Sequence, residues 1–249
     1  MDYNFSTNML IMVIFLIAGT IKGVVGLGLP PVVLGLLTAS VGIHSAMVMV
    51  ALPAFITNLY QAMTGNNAKI IIKEHWFFFL SATLFVGVGC CAALLIDHQS
   101  MSVLLGISLI IYTVAGISNF RFNIQQRWQK FFGVIMGILN GIFTGLTGSS
   151  AVPGVFYLQS SGLPKEQLVQ AMGILFTFSS AGLSIGLYVQ SKLTVTWGAL
   201  SLMALVPAIL GMYIGSKIRQ GLSIKTFQKV FFLSLLTLGI FIVANNVSL

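Results

Sequence analysis

Lys22 is the only charged side chain set well inside an apolar run of this sequence. At the centre of a membrane helix a lysine costs roughly 2.5 to 3.5 kcal/mol on insertion scales, enough to call for a partner or a role. It stands just before a Gly/Pro cluster of Gly23, Gly26, Gly28, Pro30 and Pro31. There its ammonium could neutralise an anionic substrate. The competing reading is that it snorkels to the interface, because it lies about 14 residues, on the order of 20 Å of helix, from the start of its segment.

A second cluster, Gly145, Gly148 and Pro153, follows Asn140, which occupies the place matching Lys22. A neutral hydrogen-bonder there leaves the pair with one net positive charge. The acids Asp2, Glu74, Asp97 and Glu166 all fall at segment ends or in loops. None of them can pair Lys22, relay protons inside the membrane or bind a cation. The simplest cavity is net positive, which points to a small anion and away from a cation transporter.

Further polar residues could complete that cavity. Thr147, Ser149 and Ser150 follow the second cluster, Thr57, Asn58 and Gln61 share one apolar segment, and Gln170, Thr177, Ser179 and Ser180 share its counterpart. Ser and Thr in membrane helices often bond only their own backbone. The amides of Asn58 and Gln170 are costlier to bury and should face protein or water.

Other chemistries find no support. His44 starts a segment and His75 and His98 lie near membrane ends, where an interfacial role is expected of all three. The adjacent Cys90 and Cys91 cannot close an unstrained disulfide and read as small packing residues. No Ser/His/Asp set, paired carboxylates or metal-ligand spacing is present, so neither an enzyme nor a metal or cofactor is expected.

The elements that carry these residues belong to a membrane. Of 249 residues 57% are hydrophobic and only 6% charged, whereas a soluble domain is roughly one quarter charged. A mean hydropathy of +1.01 and 19 Phe say the same. The chain is read as an all-α, polytopic membrane protein. The formal charge of +8 comes with no contiguous basic run, so nucleic acid is not a partner. Met1 to Asn8 has no basic stretch and no cleavage site of small residues follows, so no removed signal peptide is expected.

Two halves share an order of residues. Gly19, Lys22 and Gly23 match Gly137, Asn140 and Gly141, and further on Pro31 falls opposite Pro153, Gly42 opposite Gly162, Thr57 opposite Thr177 and Trp76 opposite Trp197. The organisation read from this is a first repeat over 1–120, a cytoplasmic linker over 121–130 and a second repeat over 131–249. Apolar pieces run near 8–25, 29–41, 44–64, 75–96 and 101–119, then 131–146, 150–160, 165–189, 195–216 and 226–246. The last three of each half are long enough to span, and the first two are shorter and broken apart by Gly and Pro. Backbone broken at membrane depth is tolerated only beside protein or a polar cavity. Helices starting near Leu29 and Ser150 would aim their N–H-rich ends at one cavity.

Charge placement selects a topology. If each broken pair turns back as a re-entrant hairpin, three crossings follow it and the halves are inverted repeats. Lys69, Lys73, Arg121, Arg127, Lys130, Lys165, Lys217, Arg219, Lys225 and Lys229 then lie inside and only Lys192 outside. Both termini are expected to be extracytoplasmic. A single crossing by each broken pair would move the 217–229 loop and its four positive charges outside.

At these residues the sequence resembles the sulfite exporter TauE/SafE family. Ile21-Lys22-Gly23-Val24-Val25-Gly26-Leu27-Gly28 with Pro30 and Pro31 is similar to its first-repeat signature. Gly141 to Gly148, Pro153 and Ser161 to Glu166 are similar to its second. Leu29-Pro30, Thr147 and Ser149 depart from the small-residue pattern, and they line the supposed cavity. The resemblance implies a multi-pass permease of the inner (plasma) membrane exporting sulfite, a sulfonate such as sulfoacetate, or another organosulfur anion. It admits a homodimer. Substrate would be held by Lys22, backbone N–H groups near Gly28 and Ser149, and the amides and hydroxyls named above, while one repeat rocks against the other. An anion-selective channel would use the same cavity without alternating access.

Overall fold

The computed structural model describes residues 5–118, 124–192, 195–219 and 224–247, which form ten α-helices and no strand. Asp2, Arg121 and residues 121–123 of the expected linker lie outside them. The helices are α1 (Phe5–Val25), α2 (Leu29–Val41), α3 (Ile43–Met63), α4 (Ala68–Ala92) and α5 (His98–Ser118). After a 3₁₀ turn (Gln126–Trp128) come α6 (Gln129–Thr147), α7 (Gly154–Ser160), α8 (Lys165–Val189), α9 (Val195–Ile218) and α10 (Ile224–Val247).

The breaks fall at the glycines. Gly28 takes the left-handed region (φ 109°) immediately before α2, and Gly148 takes it (φ 76°) immediately after α6. An L side chain rarely adopts that backbone, so Gly28 lets the chain turn into α2 and Gly148 lets α6 stop. Eight helices are long and apolar enough to cross a membrane. Among them are α1, with 21 residues, and α6, with 19, which the apolar runs alone read as short. Polar starts explain the difference: Ser6, Thr7 and Asn8, and Gln129 and Lys130, continue each helix beyond its apolar stretch. The short members are α2, with 13 residues, and α7, with 7. Helix α7 begins at Gly154, four residues later than the sequence suggests, because Ser149 to Ala151 are not helical.

Glycines set the tightest packing. Gly19 and Gly23 of α1 lie against the backbone of Ala208 and of Met212 to Ser216, so α1 runs alongside α9 in the same direction. Gly137, Gly141 and Gly145 of α6 climb α4 likewise, from Phe78 to Cys90. The first helix of each half thus packs on the fourth helix of the other. Helices α5 and α10 pair antiparallel, with Gly106 facing Gly239 and Gly116 facing Phe232. The C-terminal end of α3 meets the N-terminal end of α8, where Gln61 Nε2 donates to Val169 O at 2.8 Å. Pro53 inside α3 has no N–H for the Met49 carbonyl, and Ser201 Oγ of α9 donates to it instead at 2.9 Å.

A Cβ on Gly145 would overlap the backbone of Val86 and Cys90, whereas one on Gly87 would meet nothing. Gly145→Ala is therefore expected to destabilise the fold by about 1 to 3 kcal/mol and Gly87→Ala to leave it unchanged. Thermal unfolding of both variants in detergent checks this.

At one end the halves are tied by side chains. Lys192, after α8, lies 3.1 Å from His44 Nε2 at the start of α3, and the ring of His44 meets that of His98 edge-on at 4.3 Å. Asp97 caps α5: the Ser100 N–H (2.7 Å) and hydroxyl donate to it and hold its carboxyl below the usual range. His75 is buried at a kink in α4 with its Nδ1 3.1 Å from the Tyr157 hydroxyl.

Candidate anion site

The polar residues order themselves along α3. Midway along it, Ala51 and Ala54 border a cavity of about 20 Å³, room for about one water, which is also lined by Gly28 and by Gly148 to Ala151. The two breaks, one from each half, meet there. One helical turn further on, Thr57 and Asn58 receive Lys22. Beyond them Gln61 and Thr64 line a half-open groove of about 480 Å³ that also contains Lys22, Gly23, Gly26, Tyr213 and Ser216.

Lys22 does not snorkel. Its Nζ donates to Thr57 Oγ1 at 3.2 Å and to Asn58 Oδ1, and the residue is only 4% exposed. Both partners are neutral, so the positive charge is solvated by dipoles and not cancelled. An ammonium has three N–H donors, and these partners take two. Thr57 can accept because its own hydroxyl proton goes to the Pro53 carbonyl at 2.7 Å.

Asn58 and Asn140 share one arrangement. Asn58 Oδ1 accepts from Lys22, and Asn140 Oδ1 accepts from the Gly154 N–H at 3.0 Å, at the start of α7. Since ammonium and backbone N–H only donate, each amide must turn its oxygen to them and its NH2 elsewhere. Both Nδ2 atoms are fully buried and have no hydrogen-bond partner among the described residues. Each such group costs about 1 to 3 kcal/mol when unpaired. Free N–H donors beside an uncancelled ammonium suit a ligand that carries negative charge on hydrogen-bond-accepting oxygens, as an oxyanion does.

The helix ends contribute less than the sequence suggests. Pro30 and Pro31 in the first turn of α2 have no N–H, and Val32 N donates back to Gly28 O. The Ser149 N–H donates to Thr147 Oγ1 at 3.2 Å, and Gly154 N–H is taken by Asn140. The α2 terminus therefore offers the single N–H of Leu29.

The remaining expected residues separate by position. Gly148, Ser149, Ser150 and Ser180 border the small cavity with Gly28. Gly23 lines the groove and also packs on α9, and Gly145 serves packing on α4. Thr147 braces the second break, and Thr177 Oγ1 donates to its own helix at Gly173 O, 2.7 Å. Gln170 is engaged at the end of α3, where its Nε2 donates to Ala62 O and Gly65 O and its Oε1 accepts from Asn67 N. Reading the sequence missed Tyr213 and Ser216 of α9 and Thr144, whose Oγ1 lies 3.0 Å from Ser150 Oγ. Ser216, one of the few polar residues in the second half of α9, was the available signal; nothing marked Thr144.

A family model described as sulfite exporter TauE/SafE matches residues 11–242. No curated protein and no solved structure matches the chain.

Proposed function

The chain belongs to the sulfite exporter TauE/SafE family, a family of membrane transporters, and from that premise we propose that it exports a small sulfur oxyanion, sulfite or an organosulfonate, across the inner (plasma) membrane. The observation that carries the anion reading is the buried Lys22 ammonium with neutral partners, beside the unpartnered amide N–H groups of Asn58. An oxyanion brings the negative charge the ammonium lacks and acceptor oxygens for those donors.

Substrate would reach Lys22 through the groove past Thr64, Gln61 and Ser216. In the positive-inside topology these residues lie on the cytoplasmic side and both termini outside. From Lys22 the path would continue along α3 through the cavity between the breaks. That cavity is too small for an oxyanion, and at the far end of α3 Lys192, His44 and His98 are in contact. Passage therefore requires the two halves to move, which favours alternating access over a continuous pore. An inverted relation of the halves is supported by the antiparallel pairing of α5 with its counterpart α10.

Counterflow in proteoliposomes tests the proposal. Labelled sulfite outside should accumulate transiently against unlabelled sulfite inside, with saturable kinetics. Large single-channel currents without exchange would replace the carrier by a channel, and absence of any anion flux would overturn the function.

A further inference from the structure

Away from the Lys22 groove, residues of α4, α6 and α7 combine a cationic pocket with an apolar one. Helix α4 is interrupted at His75 (φ −117°, ψ 19°), which separates residues 68–74 from the spanning portion. Ile70 and Ile72 before that kink and Trp76 after it are exposed, as is Trp128, over whose ring the Arg127 guanidinium sits at 5.8 Å. Exposed Trp beside Arg and Lys is the composition of the membrane–water boundary.

Two cavities open there and share Ile124. One, of about 500 Å³, is polar and lined by Lys73, Lys130, His75 and Gln129, with Glu74 as its one acid. The other, of about 560 Å³, is lined by Trp128, Phe132, Met136 and Phe156, with Arg127 at its edge. Two lysines against one carboxylate in the first cavity favour an anionic group, and the adjoining apolar groove favours a hydrocarbon chain attached to it. A free inorganic anion would use only the first cavity.

We propose that Lys73 and Lys130 bind the headgroup phosphate of an anionic phospholipid, with one acyl chain in the groove formed by Phe132, Met136 and Phe156. The site reaches the broken part of the fold. Tyr157 of α7 bonds His75, which lines the headgroup pocket, and Phe156 of α7 lines the chain groove. Bound lipid would steady the short helix α7.

Native mass spectrometry of the delipidated full-length chain, titrated with phosphatidylglycerol or with phosphatidylcholine of the same chains, tests this. One phosphatidylglycerol should be retained with about tenfold preference over phosphatidylcholine, the scale expected for a few lysines or arginines near an anionic headgroup. Lys73→Gln with Lys130→Gln should abolish the preference, and Lys73→Arg with Lys130→Arg should restore it. Met136→Trp, which fills the groove, should weaken retention with every charge in place. Millimolar inorganic phosphate should not displace the lipid. Equal retention of both lipids, undiminished preference in the double Gln variant, or displacement by phosphate would each overturn the proposal, the last by showing a free-anion site. Thermal unfolding of each variant confirms that it is folded.

Discussion

Lys22→Ala is expected to reduce sulfite flux in proteoliposomes by about 10- to 100-fold while leaving the protein as stable as before. The flux loss follows from one charge-assisted hydrogen bond to substrate, worth about 1.5 to 3 kcal/mol, at 1.4 kcal/mol per tenfold. The stability result is a near cancellation. Removing a lysine from the middle of an apolar helix relieves roughly 2.5 to 3.5 kcal/mol. Against that, Asn58 Oδ1 loses its donor in a fully buried place, a cost of about 1 to 3 kcal/mol. A merely structural lysine would show the opposite pattern, with the melting temperature falling and the flux falling only in proportion to misfolded protein. Lys22→Arg keeps the charge and should recover part of the flux.

Asn58→Asp is expected to be at least as damaging to transport, for the reverse reason. It keeps the shape and keeps an oxygen facing the ammonium, but it supplies the carboxylate that the membrane interior otherwise lacks. The Lys22 charge is then cancelled by a paired acid, and the two amide N–H donors are gone. An approaching anion meets a neutral pair with a negative edge, so flux should fall about 100-fold, a loss of about 3 kcal/mol for a charged-group interaction. The melting temperature should hold or rise, since a buried charge with a partner is better off than one without. Flux and thermal unfolding measured on the same preparation separate the two effects. Wild-type flux in Asn58→Asp would mean that the uncancelled charge of Lys22 is not what attracts substrate.

Much of this was legible in the residues themselves. A single lysine in an apolar run, two Gly/Pro clusters in matching order and the confinement of acids to segment ends indicate a membrane protein with broken helices and a positive interior. Asn58 could be singled out because a buried amide is costly, and it is the residue that holds Lys22. Other features needed three dimensions. Sequence does not distinguish a glycine that turns the chain from one that lets two helices touch, so Gly28 and Gly148 looked the same as Gly23 and Gly145. Gln170 has the same costly amide as Asn58, but its partners are carbonyls at the end of α3, more than 100 residues away in the chain. The donor-poor end of α2 was implicit in Pro30 and Pro31, since proline has no N–H. The pairing of His75 with Tyr157 depends on α7 lying against α4, which no local pattern announces.

The position of the bound anion is the most direct measurement. Selenite has the pyramidal shape of sulfite and a strong anomalous signal, so crystals of the protein soaked with it locate the ligand without reference to flux. The expected result is one anomalous peak placed so that the oxygens around it reach Lys22 Nζ and Asn58 Nδ2, lost in Lys22→Ala. A peak elsewhere in the bundle with none at Lys22, or the same peak persisting in Lys22→Ala, would contradict Lys22 as the anion-binding group.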